Sequence, residues 1–369
     1  MEKEIRIGIL TWTQFYNYGT ILQAYGLYNA IKMMGYDTCV IDYKPSAAVK
    51  LKNQIRYLNP LSLYAKKIRR TLYNILYRSN LHESEKKRKI RDFLETGVDL
   101  TYSTSSKAGL REISKDFSII ICGSDQIWTP ISFSPEYYLD FIQTDKKKIA
   151  YAPSFGINKL PKAKARYIKK LIEDFDSVSV REIQGVEIIK GLCGFVPKLV
   201  ADPVFLLSYD HWYKIADKTH QQRKYVFSYI LENNNAVVNA MEYSKLNGLD
   251  LLVINESMTK IDSTQCRIIN DASPEQFLGL ILGSEKVFTD SYHGFLFSLI
   301  FRKPVKIIRR FNDKSKRSQN SRIDSLLKII DMPYEKCCGE ITSYDYEKIA
   351  YKLDVFAERS RMWLKKSIE

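Results

Sequence analysis

The chain has 369 residues, 45% of them hydrophobic and 27% charged, with 25 Tyr and 17 Phe; that composition excludes a disordered chain, and the length exceeds the roughly 250 to 300 residues at which one core stops growing, so two domains are expected. A formal net charge of +15 is uneven: residues 50–92 hold thirteen Lys or Arg against Glu83, Glu85 and Asp92, and residues 302–322 hold nine against Asp313. Six cysteines without a CxxC pair, and only four histidines, give no credible zinc ligand set, and free thiols of a cytosolic protein are expected.

MEKEIRIGIL carries charges ahead of a short apolar run, which predicts a first strand and not a secretory leader. The helix-length TILQAYGLYNAIKMMG follows, then TCVIDY, and further on FSIIICG, KKIAYAPS, SVSV and KLVA. Short Val- and Ile-rich runs alternating with helical segments are the rhythm of a mostly parallel α/β sheet covered on both faces. Within FSIIICG, Cys122 reads as a small core residue. Residues 46–95 break the rhythm with Tyr, Leu and Ile among Lys and Arg, and read as an inserted pair of basic helices. Such an insertion fits either a dock for an anionic membrane surface through residues 50–92 or a solvated face; no RNP, zinc-finger or helix-turn-helix pattern supports a specific nucleic acid.

After Asp202-Pro203 the irregular LLSYDHWYKIADKTHQQRK precedes a second series, YVFSYI, DLLVIN, CRIIN, KVFTD and VKIIR. Two successive α/β units are therefore expected, residues 1–205 and 206–369, with a final helix over 344–366 able to pack back on the first. No apolar run approaches the roughly 18 residues that span a bilayer, so a soluble or peripheral protein is expected.

In open α/β sheets, ligands bind beyond the carboxyl ends of the strands. Four strand-to-helix junctions have unusual polar composition: TQFYNYGTILQ from Thr13, GSDQIW from Gly123, APSFG from Ala152 and TDSYHG from Thr289. None is GxGxxG or GxxxxGK[ST], so neither a nicotinamide cofactor nor a P-loop nucleotide is supported. Helix N-termini with Gly19, Gly123 and Gly294 would admit a phosphate or a carboxylate instead.

Asn17-Tyr18-Gly19 with Leu22-Gln23, Gly123-Ser124-Asp125-Gln126 with Trp128, Tyr151-Ala152-Pro153-Ser154-Phe155-Gly156, Arg181-Glu182, Asp202-Pro203 and Ser291-Tyr292-His293-Gly294 follow one another in that order. Together they closely resemble the polysaccharide pyruvyl transferase family, from about residue 5 to residue 325. The resemblance implies two Rossmann-like domains in a GT-B-like arrangement, acceptor side first and donor side second, with the active site in the interdomain cleft. It also implies a reaction in which the pyruvyl unit of phosphoenolpyruvate moves onto a saccharide, usually as a cyclic ketal. No cofactor is expected beyond phosphoenolpyruvate as co-substrate, and no metal, since no cluster of carboxylates in the sequence resembles a magnesium site. A capsule or exopolysaccharide precursor carried on a polyprenyl diphosphate, at the inner face of the plasma membrane, would suit the basic insertion of a cytoplasmic, peripheral enzyme.

Under that resemblance His293, Asp125 and Asp290 are the catalytic candidates. The imidazole would be proton donor or phosphate ligand, against the alternative of a core histidine satisfied by a carbonyl. Either carboxylate would take a hydroxyl proton, and N-capping is the alternative for each. Arg181, with Ser291, Gly294, Gly123 and Ser124, would hold the donor; a surface pair with Glu182 or Asp174 is the alternative for Arg181. Asn17, Tyr18 and Gln23 would bond acceptor hydroxyls, and Tyr18 or Trp128 would stack on a sugar, with core packing as the alternative. Arg309, Arg310, Lys316, Arg317 and Arg322 would draw in an anionic donor. A nucleotide-sugar glycosyltransferase of GT-B type, and a basic non-enzymatic adaptor for membrane or nucleic acid, are the competing readings.

Overall fold

The computed structural model describes residues 5–46, 48–50, 53, 81–143, 146–219, 223–232, 235–257, 261–310 and 320–369. The first sheet contains β1 (Arg6–Leu10), β2 (Asp37–Val40), β3 (Ile119–Cys122), β4 (Lys147–Ala150), β5 (Ser177–Val180) and β6 (Lys198–Leu199). They are all parallel, in the order β2-β1-β3-β4-β5-β6. The second contains β7 (Tyr225–Ile230), β8 (Asp250–Asn255), β9 (Arg267–Ile268), β10 (Lys286–Thr289), β11 (Val305–Ile307) and β12 (Glu340–Ile341). Its order is β12-β11-β10-β7-β8-β9, with β12 alone antiparallel. Each order reverses direction once, between β1 and β3 and between β7 and β10, and such reversals open a crevice at the carboxyl ends of the strands.

The helices are α1 (Tyr18–Met33), α2 (Leu81–Gly97), α3 (Lys107–Ser114), α4 (Lys162–Ile172), α5 (Ile183–Cys193), α6 (Tyr209–Ile215), α7 (Asn235–Asn247), α8 (Pro274–Gly283), α9 (Tyr292–Ile300), α10 (Ser321–Ile329), α11 (Tyr334–Cys337) and α12 (Tyr346–Ile368). In α1 twelve residues are buried, and in α9 eight. Helices buried on all sides belong inside a core, and these two meet where the sheets meet. One apolar cluster accordingly runs from Ile7 and Leu22 through Phe277 and Phe295 to Leu353.

The last helix carries its buried stripe at Ile349, Leu353, Ala357, Ser360, Leu364 and Ile368, the spacing of a single helical face. That face returns to the first sheet: Ser360 Oγ accepts from Ala201 N at 2.9 Å, and Arg361 Nη1 donates to Leu206 O at 3.1 Å.

Of the basic insertion, α2 lies among the described residues, whereas residues 54–80 lie outside them. Three of its cations are engaged inside the molecule. Lys86 pairs with Glu256, Lys89 Nζ donates to Asp271 O at 2.9 Å, and Arg91 reaches the buried Asp42 at 3.1 Å. The helix thereby ties the first sheet to loops of the second. No described helix is long and apolar enough to cross a membrane.

Candidate functional site

The loops leaving β3, β5, β6 and β10 converge on one chain of polar contacts. Thr20 Oγ1 donates to Asp125 Oδ2 at 2.8 Å. Arg181 Nη2 donates to Asp125 Oδ1 at 3.0 Å, and its Nη1 to Asp202 Oδ2 at 2.7 Å. His293 Nε2 lies 3.6 Å from the same Asp202 oxygen, within ion-pair reach and beyond hydrogen-bond length. Asp202 Oδ1 accepts from Val204 N at 3.2 Å. Four of these side chains come from the first sheet and its helix α1, and the imidazole comes from the second.

Burial makes this arrangement costly unless it is paired. Arg181 is 3% exposed, Asp202 2%, Asp125 5% and His293 6%. Desolvation alone would raise both aspartates, yet His293 and Arg181 bring Asp202 down to about 2, and Arg181 followed by His293 holds Asp125 below its usual range. Both carboxylates are thereby kept ionised. Glu182, buried with Oε1 accepting from Ser154 Oγ and Phe155 N, is pushed upward, because desolvation there exceeds the pull of Arg181 and Arg322.

A second set of cations adjoins this chain. The guanidinium of Arg181 lies 5.0 Å from the centre of the Tyr292 ring, and that of Arg322 lies 5.2 Å from the same ring. Arg310 Nη2 donates to Asp290 O at 3.2 Å. Burial first, then the charges of Arg181 and Arg310, push Arg322 down to about 10. Cations crowded in a buried place favour an incoming anion.

Gly19 explains the packing of the imidazole. A Cβ at that position would lie 2.0 Å from His293 Nδ1 and 2.3 Å from its Cγ, so only the bare backbone of α1 lets the ring sit there. Gly123 is constrained differently: its φ is +129°, and a Cβ would come within 1.9 Å of Tyr151 O.

Several expected site residues serve the frame instead. Trp128 is fully buried, its ring stacked on Tyr138 at 4.9 Å and its Nε1 donating to Tyr137 O at 3.1 Å, which leaves no face for a sugar. Tyr18 is equally buried, stacked on Phe277 at 4.6 Å, with its hydroxyl donating to Ala272 O at 2.9 Å. Its role is a bolt between α1 and α8. Gln23 donates to Thr11 Oγ1 and Thr20 O and accepts from Ser124 N at 3.1 Å, so both ends of its amide are committed. Ser124 in turn donates to Ala152 O at 2.8 Å. Asp290 accepts from Leu231 N at 2.7 Å and Glu232 N at 2.8 Å, closing the loop after β7 in place of acting as an open base.

The remaining candidates cap helices or hold cations. Asn17 caps α1 through Gly19 N at 3.0 Å, and Ser291 caps α9 through Gly294 N at 3.3 Å. Arg181, expected to grip the donor, spends its fork on two aspartates. Arg309 donates to Asp324 at 2.6 Å; Lys316 and Arg317 lie outside the described residues. Sequence reasoning quoted Asp202 within a motif and gave it no role. The signal available was an acid closing the apolar run KLVA immediately before a proline.

A sequence model of the family described as Polysaccharide pyruvyl transferase matches residues 17–310, which span all of these positions. The chain belongs to the polysaccharide pyruvyl transferase family. No curated protein gave a significant sequence match. Among solved structures, a putative UDP-N-acetylglucosamine 2-epimerase from Listeria monocytogenes is similar at a TM-score of 0.51 and 11% identity, over 97% of this chain and 94% of that one. The UDP-N-acetylglucosamine 2-epimerase of Rickettsia bellii is similar at 0.50 and 10%, over 99% and 97%. These likenesses are of fold. This pyruvyl transferase family member has two Rossmann-like domains in a GT-B-like arrangement.

Proposed function

We propose that the protein moves the pyruvyl unit of phosphoenolpyruvate onto a saccharide as a cyclic ketal, in the cleft between residues 1–205 and 206–369. The observation that carries this reading is the imidazole of His293, delivered from the second sheet to an ionised Asp202 that Arg181 holds from the first. The enol ester is protonated at its methylene carbon: the double-bond electron pair forms the new C–H bond and leaves a cationic C2. One saccharide hydroxyl adds to C2 and gives up its proton. A second hydroxyl then displaces phosphate, closes the ketal and releases its own proton. His293 is the proton-transferring group, oriented by Asp202. Asp125 positions Arg181, and Arg310 and Arg322 face the phosphate and carboxylate of the donor.

One feature bears on the wider setting and another on the competing reading. The basic stretch 50–92 suits an acceptor presented on a polyprenyl diphosphate at an anionic membrane surface in the cytoplasm. The similar folds named as UDP-N-acetylglucosamine 2-epimerases make a nucleotide-sugar donor the second reading. Phosphate release from phosphoenolpyruvate, with galactose- and mannose-containing acceptors, separates the two. Release that depends on the acceptor supports pyruvyl transfer; turnover of a UDP-sugar with phosphoenolpyruvate inert would replace it.

A further inference from the structure

The groups of the site are shut in. Asp202 and Arg181 come from the first domain and His293 from the second, all three are buried, and the imidazole lies 3.6 Å from the carboxylate. A ligand that touches both sides can enter or leave only when the two domains part. Part of what resists parting is apolar: α1 packs on α8 and α9, with Tyr18 stacked on Phe277 at 4.6 Å. Another part is ionic, and α2 supplies it.

This helix is inserted between β2 and α3, and its footing is on the first domain. Ile90, Phe93 and Leu94 are buried, Phe93 lies 5.3 Å from the Tyr25 ring, and Arg91 reaches Asp42 at 3.1 Å. From the same helix Lys86 and Lys89, three residues apart and so neighbours on one face, cross to the second domain. Lys86 pairs with Glu256, immediately after β8, and its ammonium lies 4.8 Å from the centre of the Tyr18 ring. Lys89 Nζ donates to Asp271 O at 2.9 Å and lies 3.5 Å from Asp271 Oδ2, in the loop before α8. The Tyr18 hydroxyl donates to Ala272 O in that same loop.

Burial decides how such a joint behaves. Lys86 is 7% exposed, so with the cleft shut its charge acts on Glu256 through a medium of low effective dielectric. With the cleft open, ammonium and carboxylate both recover water. The pair can therefore be broken and remade, whereas parting an apolar surface costs free energy in proportion to the area exposed. We propose that α2 is a clasp on the interdomain cleft: Lys86 and Lys89 hold the loops after β8 and before α8, keep the cleft shut, and release it when their pairs break. The clasp does not depend on the pyruvyl-transfer reading, because any ligand of this buried cluster meets the same closure.

Hydrogen exchange on the whole chain tests the clasp without a ligand. In Lys86→Met, Lys89→Met and Glu256→Gln, the amides of Val204, Ser291 and Gly294, each bonded to a side chain at the cleft rim, should exchange about three- to tenfold faster, while those of β3 and β7 keep wild-type rates. Combining Lys86→Met with Glu256→Gln should add nothing to either change alone, because each already breaks the pair. Binding kinetics with phosphoenolpyruvate as the probe give the second test. A looser clasp speeds association and dissociation together by that factor, whereas loss of a ligand-binding group speeds dissociation alone. Wild-type exchange at the three amides, acceleration spread evenly over both sheets, additive effects within the pair, or a change confined to dissociation would each overturn the clasp. Faster exchange at the three amides in a protein that never binds phosphoenolpyruvate would leave the clasp standing and remove the pyruvyl-transfer reading.

Discussion

Asp202 shows how one side chain is fixed by its partners. Its folded pKa, about 2, lies below the ordinary carboxylate value, so it contributes stability above that value and loses the contribution as pH falls toward 2. Asp125 is lowered as well and contributes in the same direction. Urea unfolding from about pH 5 to about pH 2 should therefore lose on the order of 2 kcal/mol through Asp202, and Asp202→Asn should flatten that slope. An equal acid slope in the variant would remove Asp202 from the cause. Arg181→Met should destabilise by about 3–5 kcal/mol, because two buried carboxylates lose their shared partner. A loss within error of zero would contradict that pairing. Gly19→Ala drives a methyl into the imidazole, and under the proposed mechanism a displaced proton-transferring group costs on the order of a hundredfold in kcat/KM. Wild-type kinetics in a folded Gly19→Ala protein would mean the ring is not where the chemistry occurs. At this scale His293 was legible, since SYHG stands at a strand-to-helix junction. Asp202 was not, because its role comes from Arg181 and His293, which other strands deliver.

The elements were easier to read than the side chains. Runs of Val and Ile at βαβ spacing marked the long strands, and eleven of the twelve described strands overlap the runs named from sequence, because burial on both faces makes the central ones continuously apolar. β12 is two residues long and antiparallel, too short to carry a period. GSDQIW has the composition of a rim loop, yet Trp128 turns inward onto Tyr138, because a large ring loses more by facing water than the loop gains by presenting it. Cys122, read as core, is fully buried. The bolt between α1 and α8 makes a separate prediction. Tyr18→Phe keeps the stacked ring and orphans Ala272 O, so denaturant unfolding should show a loss of about 1–3 kcal/mol. No loss would mean the hydroxyl is satisfied elsewhere.

At the scale of the whole molecule, the two sheets present their carboxyl ends to each other, and the contacts of α1, α2, α9 and α12 hold them there. Two α/β units were legible from a rhythm that restarts after Asp202-Pro203. The closure of the cluster was not, because it depends on which residues of one sheet face the other, and periodicity within a chain segment carries no such information. Salt should weaken donor affinity only modestly, since Arg322 is buried beyond the reach of most screening. A steep salt dependence that survives Arg322→Ala would place the anion on the exposed basic surface. The most direct test runs the reaction with phosphoenolpyruvate labelled with carbon-13 at C2, in deuterated water, and reads the saccharide product by NMR. The labelled carbon should appear as a ketal carbon bearing a methyl group with one deuteron, and His293→Ala should suppress it. Label left in phosphoenolpyruvate, or transferred with the methylene intact, would contradict proton transfer to the enol ester at this site.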